Sequence, residues 1–462
     1  MGLRINDTSG VLSSLRQLSL ARLSQSSALE KMATGLAINR AGDNPSGLVI
    51  SEILRSQLGA TAQAIENTQF AANMVATAEA GMSEINNLMT GIRGQSLAIM
   101  NTGAMSPEAQ MAAQMSIDMS LQAIDRIANT TRFAGTSLLN GAASFNISNA
   151  ATQFEDIRVM AASLPASGPM TIDVAVQAAA QQATATGNIA PVQAGASTVQ
   201  IRGSQGSVEL NFAAGATQAE VMSAINATTS NTGVEAVGGQ IRSVEYGSQE
   251  FVSFTVTQGA FSGITPGTYA GQDIQATVEG QPAQGIGNQV MVTTGGLTAE
   301  LRMDAGTGPG TYTFDIVGGG LGFQLGTEGT AADQLRVGIE AMNVSRLGQP
   351  GALGNLGSLR SGGANSPMVN PANALEIVDS AINQVSTTRG HLGSVVQQQL
   401  QPNVSALQIA FENLSASEST IRDADMAQEA ANAGRANILI EAAVLALRNA
   451  NITQGGVLRL LR

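Results

Sequence analysis

Apolar stripes sit at both extremities of this chain, and a chain built this way can bury them only against each other or against further copies of itself. From Val11 to Leu36, apolar residues recur at spacings of three and four: Val11, Leu15, Leu18, then Leu29, Met32 and Leu36, with Arg22 and Gln25 in the same seam. That is a helix stripe of coiled-coil type. The last run is Ala-rich, carries Ile438, Ala442, Leu445 and Ile452 on one side, and closes on Leu458 and Leu461. Alanine lets helices approach closely but buries little area. At about 25 cal/mol per Å2, one pair of such helices is marginal in water. The terminal helices are therefore expected to fray until neighbouring subunits cover them.

Between these ends the pattern changes twice. Gly35 and Gly42 with Asp43-Asn44-Pro45-Ser46-Gly47 break the first helix, since Asn before Pro avoids the helical region. A second helical run starts near Leu48, with a seam at Ala78, Met82, Ile85, Met89, Ile92, Ser96 and Ile99. Ser106-Pro107-Glu108 then reads as a fresh helix start, with a capping Ser, Pro in the first turn and an acid at the positive end of the dipole. Ile172, Val174 and Val176 alternate, as do Val208, Leu210 and Phe212, and Tyr312, Phe314 and Ile316, which predicts strands. Thr217 and Glu220 form a capping box ahead of a short helix.

Helical spacing returns at Leu375, Val378, Ile382, Val385, Arg389, Leu392 and Val396. It stutters at Leu400 and Val404 and resumes at Leu407, Phe411, Leu414, Glu418 and Ile421. Pro402 is expected to kink this helix, at about 3 kcal/mol if the turn is otherwise regular. The fold class is therefore mainly α at both termini, an antiparallel helical bundle or coiled coil with the N- and C-terminal regions paired. A central α+β, strand-rich insertion of one or two compact domains interrupts it.

Chemistry is sparse. The 462 residues include no Cys, which removes disulfides, thiolate metal sites and cysteine nucleophiles. The net charge of −12 disfavours nucleic acid, which needs clustered bases. Lys31 is the one lysine, so a Walker loop and Schiff-base chemistry lack their residue. The one histidine, His391, falls on a helix and reads as a packed or surface side chain. Val317-Gly318-Gly319-Gly320-Leu321-Gly322 superficially suits a dinucleotide loop, but strand signals on both sides favour a hairpin turn. Asp423, Asp425 and Glu429 lack the spacing of a calcium loop and read as a solvated helix start. Met82 and Met89 read as core rather than a binding groove. No catalytic residue, metal ligand or cofactor site is predicted. Neither a secretory leader at Met1–Asp7 nor a run of about 18 apolar residues for a membrane span is expected.

Both ends resemble bacterial flagellin, over about residues 1–142 and 373–462. The resemblance rests on Leu36-Ala37-Ile38-Asn39-Arg40-Ala41-Gly42-Asp43-Asn44-Pro45-Ser46-Gly47-Leu48, Glu84-Ile85-Asn86-Asn87, and Ile124-Asp125-Arg126-Ile127. It rests also on Phe133-Ala134-Gly135-Thr136-Ser137-Leu138-Leu139-Asn140-Gly141 and on Asn413-Leu414-Ser415-Ala416-Ser417-Glu418-Ser419-Thr420-Ile421-Arg422-Asp423-Ala424-Asp425-Met426-Ala427. The middle resembles the variable outer domains of such proteins, and Glu220–Ala236 looks like a short repeat often inserted there.

The resemblance implies a subunit of the extracellular flagellar filament, exported unfolded through the flagellar type III apparatus. Residues 1–42 with 422–462 would form an inner tube. Residues 43–145 with 370–421 would form an outer tube, and 146–369 would face the medium. Self-assembly would use the terminal seams. The outer tube would pack through Met82, Ile85, Met89, Ile92, Leu375, Val378, Ile382, Val385, Leu407, Phe411 and Leu414. Gly35, Gly42, Pro45 and Gly47 would connect the two tubes. Implied partners are further copies in a helical homopolymer, an export chaperone on the C-terminal helices, and the filament cap and hook-junction proteins, with no nucleic acid and no membrane insertion. Gly91, Gln95 and Ser116 depart from the family residues that contact the vertebrate Toll-like receptor, so weak receptor activation by the monomer is expected. The rival readings are a hook–filament junction protein and a filament-borne enzyme; an adhesive role for the insertion is compatible with the filament reading.

Overall fold

In the computed structural model, residues 9–460 are described except for 102, 104, 166–167, 193–194, 295 and 350–353. Helix α1 spans Ser9–Thr34, α2 Pro45–Met100, α3 Pro107–Thr130, α4 Gln218–Asn226, α5 Pro371–Val395, α6 Gln401–Arg422 and α7 Met426–Leu460. The chain divides into two compact units, Met1–Glu66 with Asn403–Arg462 and Asn67–Pro402. Helix α2 runs unbroken past Glu66, and α6 lies almost wholly in the first unit.

In the first unit, α1 and α7 pair antiparallel: Gln25 Nε2 donates to Asn437 Oδ1, and Lys31 Nζ lies 3.5 Å from Glu429. Along the described residues the two helices form a pair. The seam that closes it is not the expected aliphatic one. Ala21 and Ala28 of α1 are buried with Ala433, Ala436 and Ala443 of α7. These positions fall at heptad spacing with the half-buried Leu18, Gln25 and Met32, and with Ile440 and Leu447.

The helical core of the second unit is built from α2, α3 and α5. Ala78, Met82, Ile85, Met89 and Ile92 of α2 pack with Ile117, Leu121 and Ile124 of α3 and Val378 and Val385 of α5. Ser106 caps α3, accepting from the Ala109 amide, with Pro107 at its first turn. Along α5 the buried positions are Ala374, Ile377, Val378, Ala381, Val385, Thr388, Leu392 and Val395. Leu375, Ile382, Arg389 and Val396 of the expected seam are only half-buried, because the small Ala374, Ala381 and Thr388 take the inner positions.

Pro402 does not end the helix. A π-helical segment, Val396–Leu400, directly precedes α6, whose second residue is Pro402. The wider i→i+5 turn absorbs one extra residue where the proline cannot donate, and it coincides with the stutter in the apolar pattern.

The insertion holds two strand-rich cores. The first is a ten-stranded antiparallel sheet. Its strands include Phe154–Ala162, Met170–Ala178, Gln275–Val278, Leu297–Met303 and Gly310–Gly319. The chain leaves this sheet after Met170–Ala178 and returns in the neighbouring Gln275–Val278. Between them a second core forms around Ile201, Val221, Ile241 and Phe254, with α4 held by the Thr217–Glu220 capping box. The glycine run at 318–320 is not a hairpin. Gly310–Gly319 pairs with Phe145–Ser148 near one edge, while Leu321–Gln324 pairs with Gln334–Val337 at the other. Gly319 needs to be glycine, since its φ is +87° and a Cβ would lie 2.4 Å from the Ser144 carbonyl oxygen.

Candidate assembly surface

Pairing α1 with α7 through alanines leaves their large aliphatic side chains outside. Leu12, Leu15, Leu20, Leu23 and Leu29 of α1, and Ile438, Leu439, Leu445 and Ile452 of α7, keep between 47% and 68% of their surface in water. An open groove on α1 is lined by Leu15, Leu18, Ser19, Arg22 and Leu23. Contiguous exposed apolar faces are characteristic of interaction surfaces. Val11, Leu18, Met32 and Leu36 of the expected seam are half-buried, whereas Leu15, Leu29, Ile438, Ala442, Leu445 and Ile452 are exposed. The expected stripe therefore mixes residues turned toward the partner helix with residues turned to solvent. The side chain of Leu458 and the whole of Leu461 lie outside the described residues.

Within Met426–Asn449 of α7 an 18-residue window reaches a mean hydropathy of 1.2, enough by length and composition alone to cross a membrane. It is not a continuous apolar run, since Arg435, Asn437 and Glu441 interrupt it. The value arises from alanines that close the coil on one face and aliphatics exposed on the other.

Beyond α1, the backbone turns through a tied loop. Gly35 takes φ +74°, its carbonyl accepts from the Ala424 amide at 2.9 Å, and the Ala37 amide donates to the Arg422 carbonyl at 2.7 Å. Asp43 accepts from the Asn39 and Arg40 amides at 2.9 and 2.8 Å, and these bonds, Arg40 first, hold its carboxyl below the usual range. Asn44 accepts from the Gly47 amide at 3.0 Å, capping α2, with Pro45 as its first residue. Gly42 has neither a positive φ nor a close neighbour, so nothing in the geometry requires glycine there.

The remaining expected positions are distributed as follows. Met82, Ile85, Met89, Ile92, Val378 and Val385 are buried, and Leu375 and Ile382 are half-buried. Leu407 and Leu414 of α6 are half-buried and Phe411 is exposed; α6 has no fully buried residue. Gly91 is exposed, while Gln95 Nε2 donates to Ser116 Oγ at 2.7 Å, so two of the receptor-contact positions are joined across α2 and α3. His391 is half-buried, and desolvation lowers its pKa. Asp425 accepts from the Ala427 and Gln428 amides at the start of α7, as a helix cap does.

A polar cavity of about 380 Å3 between the large sheet and α5 is lined by Asp156, Arg158, Glu300, Arg302, Glu376 and Asp379, among others. Three of its carboxylates have arginine partners: Arg158 lies 3.0 Å from Asp156 and 3.1 Å from Glu300, and Arg93 lies 2.6 Å from Asp379. The Arg158 pairs lie within the sheet, and the Arg93–Asp379 pair joins α2 to α5.

Sequence reading missed Glu340. Burial first, and then the charge of Asp156, push its carboxyl up to about 7, against the opposing pull of Arg158 and Arg346. Between 4.5 and about 7 the folded chain holds a proton that the unfolded chain has released, so stability falls as pH rises through this window. The full effect is about 3 kcal/mol, at about 1.4 kcal/mol per unit. Glu340→Gln is expected to melt near the wild-type temperature at pH 4.5 and progressively above it toward pH 8. Parallel melting curves for the two chains across that range would contradict this. His391 is common to both and cancels in the comparison.

Two family models match the chain. One, described as the bacterial flagellin N-terminal helical region, matches residues 5–144, and the other, the bacterial flagellin C-terminal helical region, matches residues 375–461. Flagellin B of Helicobacter pylori is 28% identical over 501 residues, covering 95% of each chain. Flagellin E of Vibrio cholerae is 25% identical over 465 residues and covers both chains completely. A solved flagellar hook associated protein-3 from Legionella pneumophila covers 80% of this chain and 98% of its own at 11% identity, with a TM-score of 0.32, too low to carry an argument.

Proposed function

The chain belongs to the bacterial flagellin family, and from that premise we propose that it adds to a filament of its own copies through the aliphatic faces of α1 and α7. It is a structural subunit of the bacterial flagellar filament, outside the cell. The observation that carries the assembly reading is the exposure of large aliphatics on both terminal helices after their mutual seam has closed on alanine. Closing on small residues brings the two backbones close and turns leucine and isoleucine outward, where only further subunits can cover them. Each such side chain, half in water, contributes about 1 kcal/mol when covered. Repeated in every subunit, this supplies a driving force without any bond being made.

The tied loop at Gly35–Gly47 would pass the chain from an inner to an outer layer. Family membership supports a chaperone that shields the α7 face before assembly, and cap and junction proteins that meet the same surfaces. Seeded elongation tests it. The full chain, added to short filament fragments and viewed by electron microscopy, is expected to lengthen them. A chain reduced to residues 67–402 is expected to remain soluble and inert. Growth by the shortened chain would defeat the proposal.

A further inference from the structure

The chain passes from the helical core into the large sheet along residues 138–144 and returns along 338–344. The two segments run side by side: the Ile339 amide donates to the Ala143 carbonyl at 3.0 Å, and the Met342 amide to the Leu139 carbonyl at 2.8 Å. All four of these residues are fully buried. Two more bonds fasten the returning segment. The Gly338 amide donates to the Met160 carbonyl at 2.7 Å, and the Val344 amide to Asp125 of α3 at 3.0 Å. Glu340 sits half-buried between Ile339 and Met342, and the charges acting on its carboxyl are those of Asp156, Arg158 and Arg346. Arg158 is already shared by Asp156 and Glu300. Among the described residues, no cation forms an ion pair with Glu340. It is therefore a third carboxylate around one guanidinium, at the crossing between insertion and helical core. The other titratable groups nearby are Asp125, paired with Arg360 at 2.8 Å, and His391 of α5, which donates to the same Met160 carbonyl. Glu376 and Asp379 of α5 and Arg302 of the sheet line the cavity that Asp156 also lines.

We propose that Glu340 is a proton-operated latch on this crossing: with its carboxyl protonated the two segments stay closed, and release of the proton to water opens them while the sheet and the helices on either side stay folded. The acidity of the surroundings then sets how firmly the insertion is held on the helical core. A neutral acid can sit beside Asp156 without repulsion, whereas an unpaired carboxylate there is both desolvated and repelled. Opening the crossing returns the group to water and to its ordinary ionisation. Below 4.5 the open and closed crossings both keep the proton, and above about 7 both have lost it. Only between these values does opening release a proton, so only there does rising pH favour the open form. The latch belongs to the single chain and stands apart from the assembly reading.

Amide hydrogen exchange of the full chain, read by mass spectrometry at pH values on both sides of this window and corrected for the intrinsic rate of exchange, tests the latch. Wild type is compared with Glu340→Gln, which keeps His391 and every other group, so their contributions cancel. The ratio of wild-type to variant opening at residues 338–344 is expected to climb about tenfold per pH unit through the window and to level off near pH 7. Peptides covering Ile117, Leu121 and Ile124 of α3 are expected to keep a constant ratio. Asp156→Asn removes the repulsion and frees Arg158 for Glu340, so in this variant the levelling-off is expected about one pH unit lower. That variant keeps the test decisive if Glu340→Gln does not fold. A ratio independent of pH, an equal climb in α3, or a levelling-off point that Asp156→Asn leaves in place would each overturn the proposal. An equal climb in α3 would mean that ionisation unfolds the whole unit and not the crossing alone.

Discussion

A chain carrying Leu15→Glu together with Leu445→Glu is expected to fold as the wild type does and to lose filament growth. The two leucines are 47% and 59% exposed, so a charged side chain at either position stays in water in the single chain. Substitutions of that kind usually alter stability by no more than about 0.5 kcal/mol. In the polymer the balance reverses. Each leucine's apolar contribution disappears, and each new carboxylate must be buried without a partner, which costs several kcal/mol. A combined loss of about 4 kcal/mol per subunit raises the concentration needed for growth about a thousandfold. Circular dichroism melting and sedimentation of seeded reactions measure the two halves of this expectation. Growth at the wild-type threshold would show that these faces are not between subunits. A collapse of the monomer's melting transition would show that they belong to its own core.

The second large effect concerns the helical core. Leu121 is fully buried in the cluster formed by α2, α3 and α5. Leu121→Ala is expected to destabilise the second unit by about 2–5 kcal/mol, through lost transfer energy and the cavity left behind. Met119, two residues earlier on the same helix and 67% exposed, serves as the control: Met119→Ala is expected to cost less than about 0.5 kcal/mol. Denaturant midpoints for the two variants separate them. Equal shifts would mean that α3 is turned differently from the arrangement described.

Elements governed by local rules could be read in the sequence. Ser106 and Pro107 start α3, Thr217 and Glu220 cap α4, and the alternation at Ile172, Val174 and Val176 forms a strand with all three residues buried. Each depends on neighbours a few residues away. What could not be read depended on distant partners. The terminal stripe picked out the largest apolar residues, but the partner-facing positions are Ala21, Ala28, Ala433, Ala436 and Ala443. Hydrophobicity ranks leucine above alanine, whereas close helix packing favours the smaller side chain. Along α5, alternate positions of the expected seam are half-buried, and Ile382 and Val396 among them pack against the core. The glycine run at 318–320 looked like a hairpin because both flanks are strands. That those strands lie apart in the ten-stranded sheet is a matter of strand order, which no window of sequence contains.

The sequence by itself determined helical ends and a strand-rich centre, which follow from periods of 3.6 and 2 residues, and its motifs carry the resemblance to flagellin. Only the tertiary structure decided which side of each terminal helix is spent on its partner and which is left for other copies. It also decided that Glu340 is buried beside Asp156. Periodicity fixes a helix's apolar sector to within one residue, about 100° of rotation. Choosing between adjacent sectors requires the second helix to be present, because the close approach of two backbones is a property of the pair.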